Sequence, residues 1–421
     1  MMQVSLPVKR SRLSASGAQA PAPPAMPPAW VILILSLLLG LQPITTDLYL
    51  PALPALTQGF AAPMAQAQLT LTALLLAFGL SQLVWGPLSD RYGRRPILLM
   101  GLGAYVLAAV ASALAPSMAL LIVWRTVQGA AMGAAVMCAR AIVRDLYTPL
   151  QGARVMSKGL TGLGVIACLS APLGGLLSDA FGWRAALLAL AVFGALSLVV
   201  VVLHFDETVA QKNPDALRPA RLLSTWLGIG RHPTFLAFSA LSAASYGGLF
   251  TFLASSSFVF IQVLGLSKTQ YGLVMFVNSV SYISGTFLCR RWLPALGVKR
   301  TVALAGGLSL AGGTLMGALG LVGVASVWAI LVPQCLFMVG HGIHQPCSQS
   351  GAVGPFPQSA GAASALNGFI MMMAAFAMGG WLGQHMNGTV LPMVLGVWFW
   401  SILIAIAAWT LVQKFGVVGE H

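Results

Sequence analysis

Long apolar runs, separated by short polar breaks, extend along almost the whole chain. Each is about 20 residues long, which is the length that a helix needs to cross a hydrocarbon core of about 30 Å. None alternates as barrel strands do, so the pattern predicts twelve membrane-spanning helices. The runs cover residues 30–50, 68–88, 96–116, 118–141, 159–179, 184–204, 234–257, 271–290, 301–322, 326–346, 364–384 and 390–412.

The composition agrees with a membrane protein. Hydrophobic residues make up 58% of the chain and charged residues 7%, whereas soluble domains carry about 25% charged residues. The net charge of +14 comes from basic residues scattered between apolar runs, so we expect a lipid bilayer and no nucleic acid as the partner. The 5 cysteines lie within or at the ends of these runs without metal-ligand spacing, and we expect no metal or cofactor.

The distribution of basic residues predicts the topology. If the N-terminus is cytoplasmic, 19 of the 22 Lys and Arg residues fall on the cytoplasmic side, leaving only Arg125, Arg184 and Lys268 outside. Cytoplasmic loops of membrane proteins carry such an excess, so both termini are expected inside. The predicted organisation is a disordered N-terminus (1–28), a six-helix bundle (29–204), a cytoplasmic linker (205–233), a second six-helix bundle (234–413) and a tail (414–421).

The two predicted halves contain a related motif. The chain reads GPLSDRYGRRPILL from Gly86, after the second run, and GTFLCRRWLPALGVKR from Gly285, after the eighth. Internal repeats of this kind are typical of secondary transporters, whose binding site lies between the repeats.

The first of these stretches resembles the loop between helices two and three of the major facilitator superfamily. The resemblance implies that this loop is a conformational latch, with contacts that are made in one access state and broken in the other. A purely topological anchor at the inner surface is the alternative, and the two roles are compatible. The latch residues would be Gly86, Asp90, Arg91, Gly93, Arg94 and Arg95.

The stretch RTVQGAAMGAAVMCARAIVRDLY, residues 125–147, resembles the fourth-helix signature of proton-coupled exporters in that superfamily, with Arg125, Gln128 and Gly129 in its motif. Arg125 either extends its side chain to the outer surface or faces the bundle interior and pairs with a carboxylate. At the inner end of the helix, Arg140, Arg144 and Asp145 are interpreted as interface anchors.

The stretch GLGVIACLSAPLGGLLSDAFGWR, residues 162–184, resembles the fifth-helix signature of antiporters. Pro172 and Gly175 match this signature, but Ala167 and Ala171 replace its preferred glycines. Together with TTDLYLPALP, ARAIVRDLY and GPFPQSAGAASALNG, the chain is similar to the bicyclomycin and chloramphenicol resistance (Bcr/CflA) exporters.

Asp47 lies in the outer part of the first run, where a carboxylate is unexpected. It is either an interfacial charge at the outer mouth or a proton-coupling group in a cavity wall, with Arg125 as its candidate partner. In the second case, the resemblance implies that the helix continues past the acid and bends at Pro51.

An apolar substrate cavity with a few polar groups is expected between the halves. Its candidate lining residues are Tyr49, Tyr246, Phe250 and Asn278, and His341 and His344 are further titratable candidates whose role stays open.

The sequence therefore predicts an all-α transporter of the major facilitator fold rather than an enzyme. We expect a monomer in a bacterial inner membrane that exports hydrophobic, mostly neutral or cationic drugs, such as chloramphenicol-like or bicyclomycin-like compounds, in exchange for protons. A proton-coupled importer of a small metabolite is the nearest alternative. A channel or a membrane enzyme would need a polar pore or clustered catalytic groups, which the sequence lacks.

Overall fold

The chain folds almost entirely into helices. A computed structural model describes residues 26–147, 149–209, 212, 214, 219–356 and 359–416. Within these residues, 11 helical segments are long and apolar enough to cross a membrane, which confirms the all-α membrane fold. The helices are α1 (Pro28–Asp47), α2 (Leu53–Gly59), α3 (Met64–Tyr92), α4 (Arg94–Ala113), α5 (Met118–Leu146), α6 (Pro149–Phe181), α7 (Trp183–His204), α8 (Pro219–Gly230), α9 (Pro233–Ser257), α10 (Lys268–Leu321), α11 (Val327–Val353), α12 (Ala360–His385), α13 (Leu391–Ile406) and α14 (Val412–Phe415).

The longest helix, α10, contains two of the twelve predicted spans. It has 54 residues, or about 81 Å at 1.5 Å per residue, far more than one crossing requires. Its backbone leaves helical geometry at Gly297, with φ 71°, a left-handed conformation that glycine adopts without strain. The predicted eighth and ninth spans lie on either side of this kink, so the segments provide twelve crossings.

The first span is interrupted directly after Asp47. The α1 helix ends at this residue, a 3-10 turn covers Leu50–Ala52, and α2 follows. Pro51 and Pro54 lie in the first turns of the two following elements, where no intrahelical N–H bond is required. The chain therefore remains helical beyond the acid, as expected, and a bend at Pro51 stays a prediction.

Two ends of the bundle can be distinguished because successive membrane-spanning segments run in opposite directions. We call them the Asp90 end, where α3 and α5 end, and the Asp179 end, where α6 ends. Helix α3 packs against α5 and α12, and α6 packs against α1 and α10. The assignment of the Asp90 end to the cytoplasm and the division into two six-helix domains remain predictions.

The predicted linker contains a helix that we did not anticipate. Helix α8 has 12 residues and packs against α12 and α9. Half of the stretch between α7 and α8, and most of the two predicted termini, lie outside the described residues.

Candidate functional site

A central cavity of about 510 Å³ lies between helices of the first six and the last six spans. Its wall is formed by α1, α3, α5 and α6 on one side and by α9 to α12 on the other. Asp47 is the only carboxylate among the described residues that line it. Asp47 therefore lies in the cavity wall, which was one of the two positions that the sequence left open.

The Asp47 carboxylate is held by its neighbour. Thr46 Oγ1 donates a hydrogen bond of 2.8 Å to Asp47 Oδ1. Asp47 is the last residue of α1, and it lines the cavity together with Gln42 and Pro43 of the same helix. A carboxylate in such a cavity is accessible to a proton while being partly removed from bulk water.

Arg125 is fully buried in the first half of the protein. Its Nη1 donates to Gln128 Oε1 at 2.7 Å, and its Nη2 donates to the Thr45 carbonyl at 3.0 Å. Its guanidinium carbon lies 4.4 Å from the centre of the Tyr49 ring. Arg125 thus faces the bundle interior, as one of the two interpretations proposed, rather than extending to the surface.

The structure does not pair Arg125 directly with Asp47. Among the described residues, neither forms a salt bridge. The connection is instead made through the backbone of α1, because the Thr45 carbonyl that binds Arg125 lies two residues before Asp47. A rotation of this part of α1 would therefore move the acid and the Arg125 contact together.

Gly129, the third residue of the fourth-helix motif, permits close contact between α5 and α3. A Cβ atom at this position would lie 2.8 Å from the carbonyl carbon of Leu74 and 2.9 Å from its Cα. Only glycine fits without displacing the α3 backbone, so Gly129 sets how closely the two helices pack.

Two of the four predicted substrate residues line the cavity, namely Tyr246 and Asn278. Tyr49 does not, since its ring is buried under Arg125 and its hydroxyl donates to Thr70 Oγ1 at 3.0 Å. Phe250 is buried between α9 and α12, where a Cβ on Gly379 would lie 3.1 Å from its ring. The prediction that Tyr49 and Phe250 line the cavity was therefore wrong.

His341 and His344 differ in position although they are one turn apart. His341 lines the cavity, and its Nδ1 lies 2.8 Å from Ser245 Oγ. His344 is fully buried and is not among the lining residues.

Arg140 is a cavity residue that the sequence interpretation missed. We interpreted it as an interface anchor, but it lines the central cavity and its Nη1 donates to Ser364 Oγ of α12 at 3.0 Å. It lies four residues, about one helical turn, after Val136, which lines the same cavity, but an apolar valine in an apolar run gave no signal of that side of α5.

The predicted latch residues form an ion-pair network at the Asp90 end. Arg94 lies 2.7 Å from Asp90 and 2.9 Å from Asp145, which connects the end of α3 to the end of α5. Arg144 lies 3.7 Å from Asp90. Asp145 therefore belongs to this network rather than being only an interface anchor.

The remaining latch residues contribute unequally. Gly93, between α3 and α4, has φ 108°, a backbone conformation that glycine adopts without strain. Arg95 Nη2 donates to the Val202 carbonyl at 3.1 Å, whereas Arg91 contacts its neighbour Tyr92, with 5.5 Å to the ring centre. Close packing at Gly86 is not required, because a Cβ there would meet Met137 Cε at an ordinary 3.6 Å.

Glu207 completes the network and was not predicted. Its carboxylate accepts hydrogen bonds from the backbone N–H groups of Arg94 at 2.8 Å and Arg95 at 3.1 Å. These are N–H groups in the first turn of α4, which have no partner within their own helix. The acid thus caps α4 and joins the segment after α7 to the latch.

At the Asp179 end, α6 is joined to α10. Asp179 Oδ2 accepts from Thr269 N at 3.0 Å and from Thr269 Oγ1 at 2.7 Å, while Lys268 Nζ donates to the Ser178 carbonyl at 2.9 Å. We call these contacts the α6–α10 clasp.

The two predicted antiporter-type residues of helix five lie along the same interface. A Cβ on Gly175 would be 3.0 Å from the Lys268 carbonyl carbon, and one on Gly272 would be 2.7 Å from Pro172 Cα. Their positions let the two backbones approach closely where the spans of the two halves meet.

Comparisons with known proteins agree with this architecture. Residues 35–380 match the family described as Major Facilitator Superfamily. The chain is 31% identical to Multidrug resistance protein D of Escherichia coli (strain K12), covering 80% of this chain and 84% of that protein. It is 27% identical to the Bicyclomycin resistance protein homolog of Haemophilus influenzae, covering 91% and 96%. It is 28% identical to the Chloramphenicol resistance protein of Pseudomonas aeruginosa, covering 80% of each.

Solved structures with low sequence identity share the fold. The xylose transporter XylE from E. coli, in a partially occluded inward open conformation, aligns with a TM-score of 0.73 at 13% identity, covering 92% of this chain and 97% of that one. The human organic anion transporter MFSD10 aligns with a TM-score of 0.61 at 19% identity, covering 91% and 99%.

Proposed function

The chain belongs to the major facilitator superfamily, and we propose that it exports small hydrophobic drugs in exchange for protons. It is a multi-pass membrane transporter rather than an enzyme. Relatives named for resistance to bicyclomycin, to chloramphenicol and to multiple drugs support a drug efflux role. Because these relatives come from bacteria, we place the protein in the inner membrane. We propose that it is a monomer, and the distribution of basic residues places both termini in the cytoplasm in this proposal.

The observation that carries the proton-coupling proposal is Asp47 in the cavity wall. A cavity shared by drug and proton needs a group that changes charge, and Asp47 is the only carboxylate among the described lining residues. Protonation would remove the negative charge from a partly desolvated position, and deprotonation would restore it. The state of Asp47 can therefore favour one arrangement of the helices over another.

Arg125 is the group that would respond to this change. It is positively charged, buried, and bound to the backbone of the same helix segment that ends at Asp47. In our proposal, the deprotonated acid is attracted towards this charge and the protonated acid is not. The α1 break at Leu50–Ala52 gives the segment a place to move.

The available energy is sufficient for efflux. One proton that crosses 100 mV releases about 2.3 kcal/mol, and each pH unit adds about 1.4 kcal/mol. Each proton can therefore support a drug gradient of about one to two orders of magnitude.

The decisive variant is Asp47→Asn, which keeps the shape of the side chain but cannot exchange a proton. We expect this variant to lose protection against every drug that the wild type exports, at equal expression in a susceptibility panel. Asp206→Asn is the matched control, because it removes a carboxylate from the loop after α7. Protection by Asp47→Asn equal to wild type would contradict the coupling role.

The direction of transport is tested separately. Uptake of drug into everted vesicles that collapses on addition of an uncoupler is the expected result. Proton-driven accumulation in intact cells would instead identify an importer.

A further inference from the structure

A second cavity of about 610 Å³ lies at the Asp90 end and meets the central cavity. Three polar residues line both cavities: Gln82 on α3, Arg140 on α5 and Ser364 on α12. We call these three residues the junction. A solute that moves from the second cavity into the central cavity passes them.

Side chains from opposite halves meet at the junction. Arg140 Nη1 donates to Ser364 Oγ at 3.0 Å, which bridges α5 and α12. Next to this bridge, Gln82 faces α12 so closely that a Cβ on Gly368 would be 2.9 Å from Gln82 Oε1. This oxygen is buried and has no hydrogen-bond partner within the described part of the chain.

The charge of Arg140 is not compensated locally. Among the residues that the structure describes, no carboxylate forms a salt bridge with it. The other two guanidinium groups that line the second cavity are paired: Arg94 contacts Asp90 and Asp145, and Arg144 lies 3.7 Å from Asp90. The guanidinium group without a carboxylate partner is therefore the one that lies where the two cavities meet.

We infer that Arg140 is a charge filter that admits neutral and anionic solutes to the central cavity and disfavours cations. Two charges interact about four times more strongly near a protein surface than in bulk water, because the effective permittivity falls from about 80 to about 20. A cation that enters from the second cavity meets the guanidinium before it reaches the carboxylate of Asp47. On this route it is therefore repelled by Arg140 before it is attracted by Asp47.

The inference refines the substrate class and rests on the proposed function for its biological meaning. The sequence suggested neutral or cationic drugs, whereas the junction favours neutral compounds such as chloramphenicol over lipophilic cations of similar size.

The filter can be tested without transport, by the reactivity of a cysteine beyond it. Ser279 lines the central cavity but not the second one. In a chain whose native cysteines are replaced by alanine, Ser279→Cys is reacted with cationic trimethylammonium-ethyl methanethiosulfonate and with anionic sulfonatoethyl methanethiosulfonate. The ratio of the two rates is compared with that of a small thiol in solution.

With Arg140 present, we expect the cation-to-anion rate ratio at this cysteine to be at least about fivefold below that of the free thiol. Arg140→Gln should raise the ratio by about the same factor, and Arg140→Lys should leave it low because the charge remains. Leu222→Cys, on the near side of the junction in the second cavity, is the control. Its ratio should change little with Arg140→Gln, and its reactivity identifies the vesicle orientation that exposes the Asp90 end.

The inference would be overturned if the cation-to-anion rate ratio at Ser279→Cys were the same with Arg140 and with Arg140→Gln. A ratio equal to that of the free thiol while Arg140 is present would also overturn it. If Arg140→Gln fails to fold, the wild-type ratio and that of Arg140→Lys still decide the matter.

A transport experiment separates this outcome from the proposed function. Export of neither chloramphenicol nor tetraphenylphosphonium by the wild type contradicts the proposed function and leaves the labelling result standing. Export of both at equal rates contradicts the filter alone.

Discussion

At the scale of single residues, Arg125 shows that a buried charge needs several partners to be stable in the core. Its guanidinium makes two hydrogen bonds in different directions and lies over an aromatic face. A lysine has one ammonium group and no planar face, so it cannot reproduce these contacts together. The arginine thereby connects α5 to α1 through Thr45, while Gln128, one turn further along α5, binds the other end of its guanidinium.

Gly129 permits a direct test of close packing between α5 and α3. Gly129→Ala should lower the melting temperature in detergent, because the added methyl group meets the Leu74 backbone, which cannot move aside as a side chain can. Overpacking of this kind costs about 1–3 kcal/mol. Gly103→Ala is the control, since nothing lies within 4 Å of a Cβ at that position. It should keep or raise the melting temperature, because alanine favours a helix over glycine.

The result that contradicts this account is equal melting temperatures for the two variants. It would mean that α3 and α5 separate without cost in detergent.

The sequence was informative about residues whose presence in lipid needs an explanation. Asp47 was identified because placing a carboxylate in lipid costs free energy, and that argument does not depend on the fold. Tyr49 and Phe250 were placed wrongly in the cavity wall, because an aromatic side chain is stable either in a core or in a cavity. Which of the two it occupies depends on the rotation of its helix, and apolar runs that are hydrophobic on every side do not reveal that rotation.

At the scale of helices, the apolar runs predicted every span, since length and hydrophobicity alone decide whether a segment can cross lipid. The boundaries were less accurate. Helix α3 extends through Tyr92, for example, beyond the predicted end at 88. Helix α8 was missed because its 12 residues are too few to cross lipid, and its amphipathic pattern is not one that a search for membrane spans detects.

The cap on α4 provides a prediction for one helix. Glu207→Ala should lower the melting temperature and increase amide hydrogen exchange in the first turn of α4, because the N–H groups of Arg94 and Arg95 lose their acceptor. Losing such a cap costs about 1 kcal/mol, and the lost charge also interacted favourably with the helix dipole.

Asp206→Ala removes the adjacent, exposed carboxylate and is the matched control for Glu207. Exchange in α4 should stay at the wild-type level in this variant. Equal exchange in both variants would show that the hydrogen bonds to Glu207 do not hold the helix start.

At the scale of the whole molecule, the two ends are connected in different ways. The latch network at the Asp90 end connects α3, α4 and α5, which all belong to the predicted first bundle. The α6–α10 clasp at the Asp179 end instead connects the two predicted bundles. In this conformation, the clasp therefore holds the bundles together at one end, while the second cavity leads to the central cavity from the other.

Removing the clasp should consequently shift the molecule towards states that are open at the Asp179 end. Asp179→Ala eliminates both acceptor contacts to Thr269 and the carboxylate that lies 3.7 Å from Lys268. Charge-assisted bonds that are partly exposed contribute about 1–2 kcal/mol, so the open fraction should rise by a factor of about 5–30. The measurement is the labelling rate of Ser279→Cys by an impermeant maleimide added from the Asp179 side, with Asp206→Ala as the control at the opposite end.

Lys268→Ala should have a smaller effect, because Thr269 still binds Asp179. A labelling rate for Asp179→Ala equal to that of the control would mean that close backbone packing at Gly175 and Gly272, rather than the clasp, keeps this end closed.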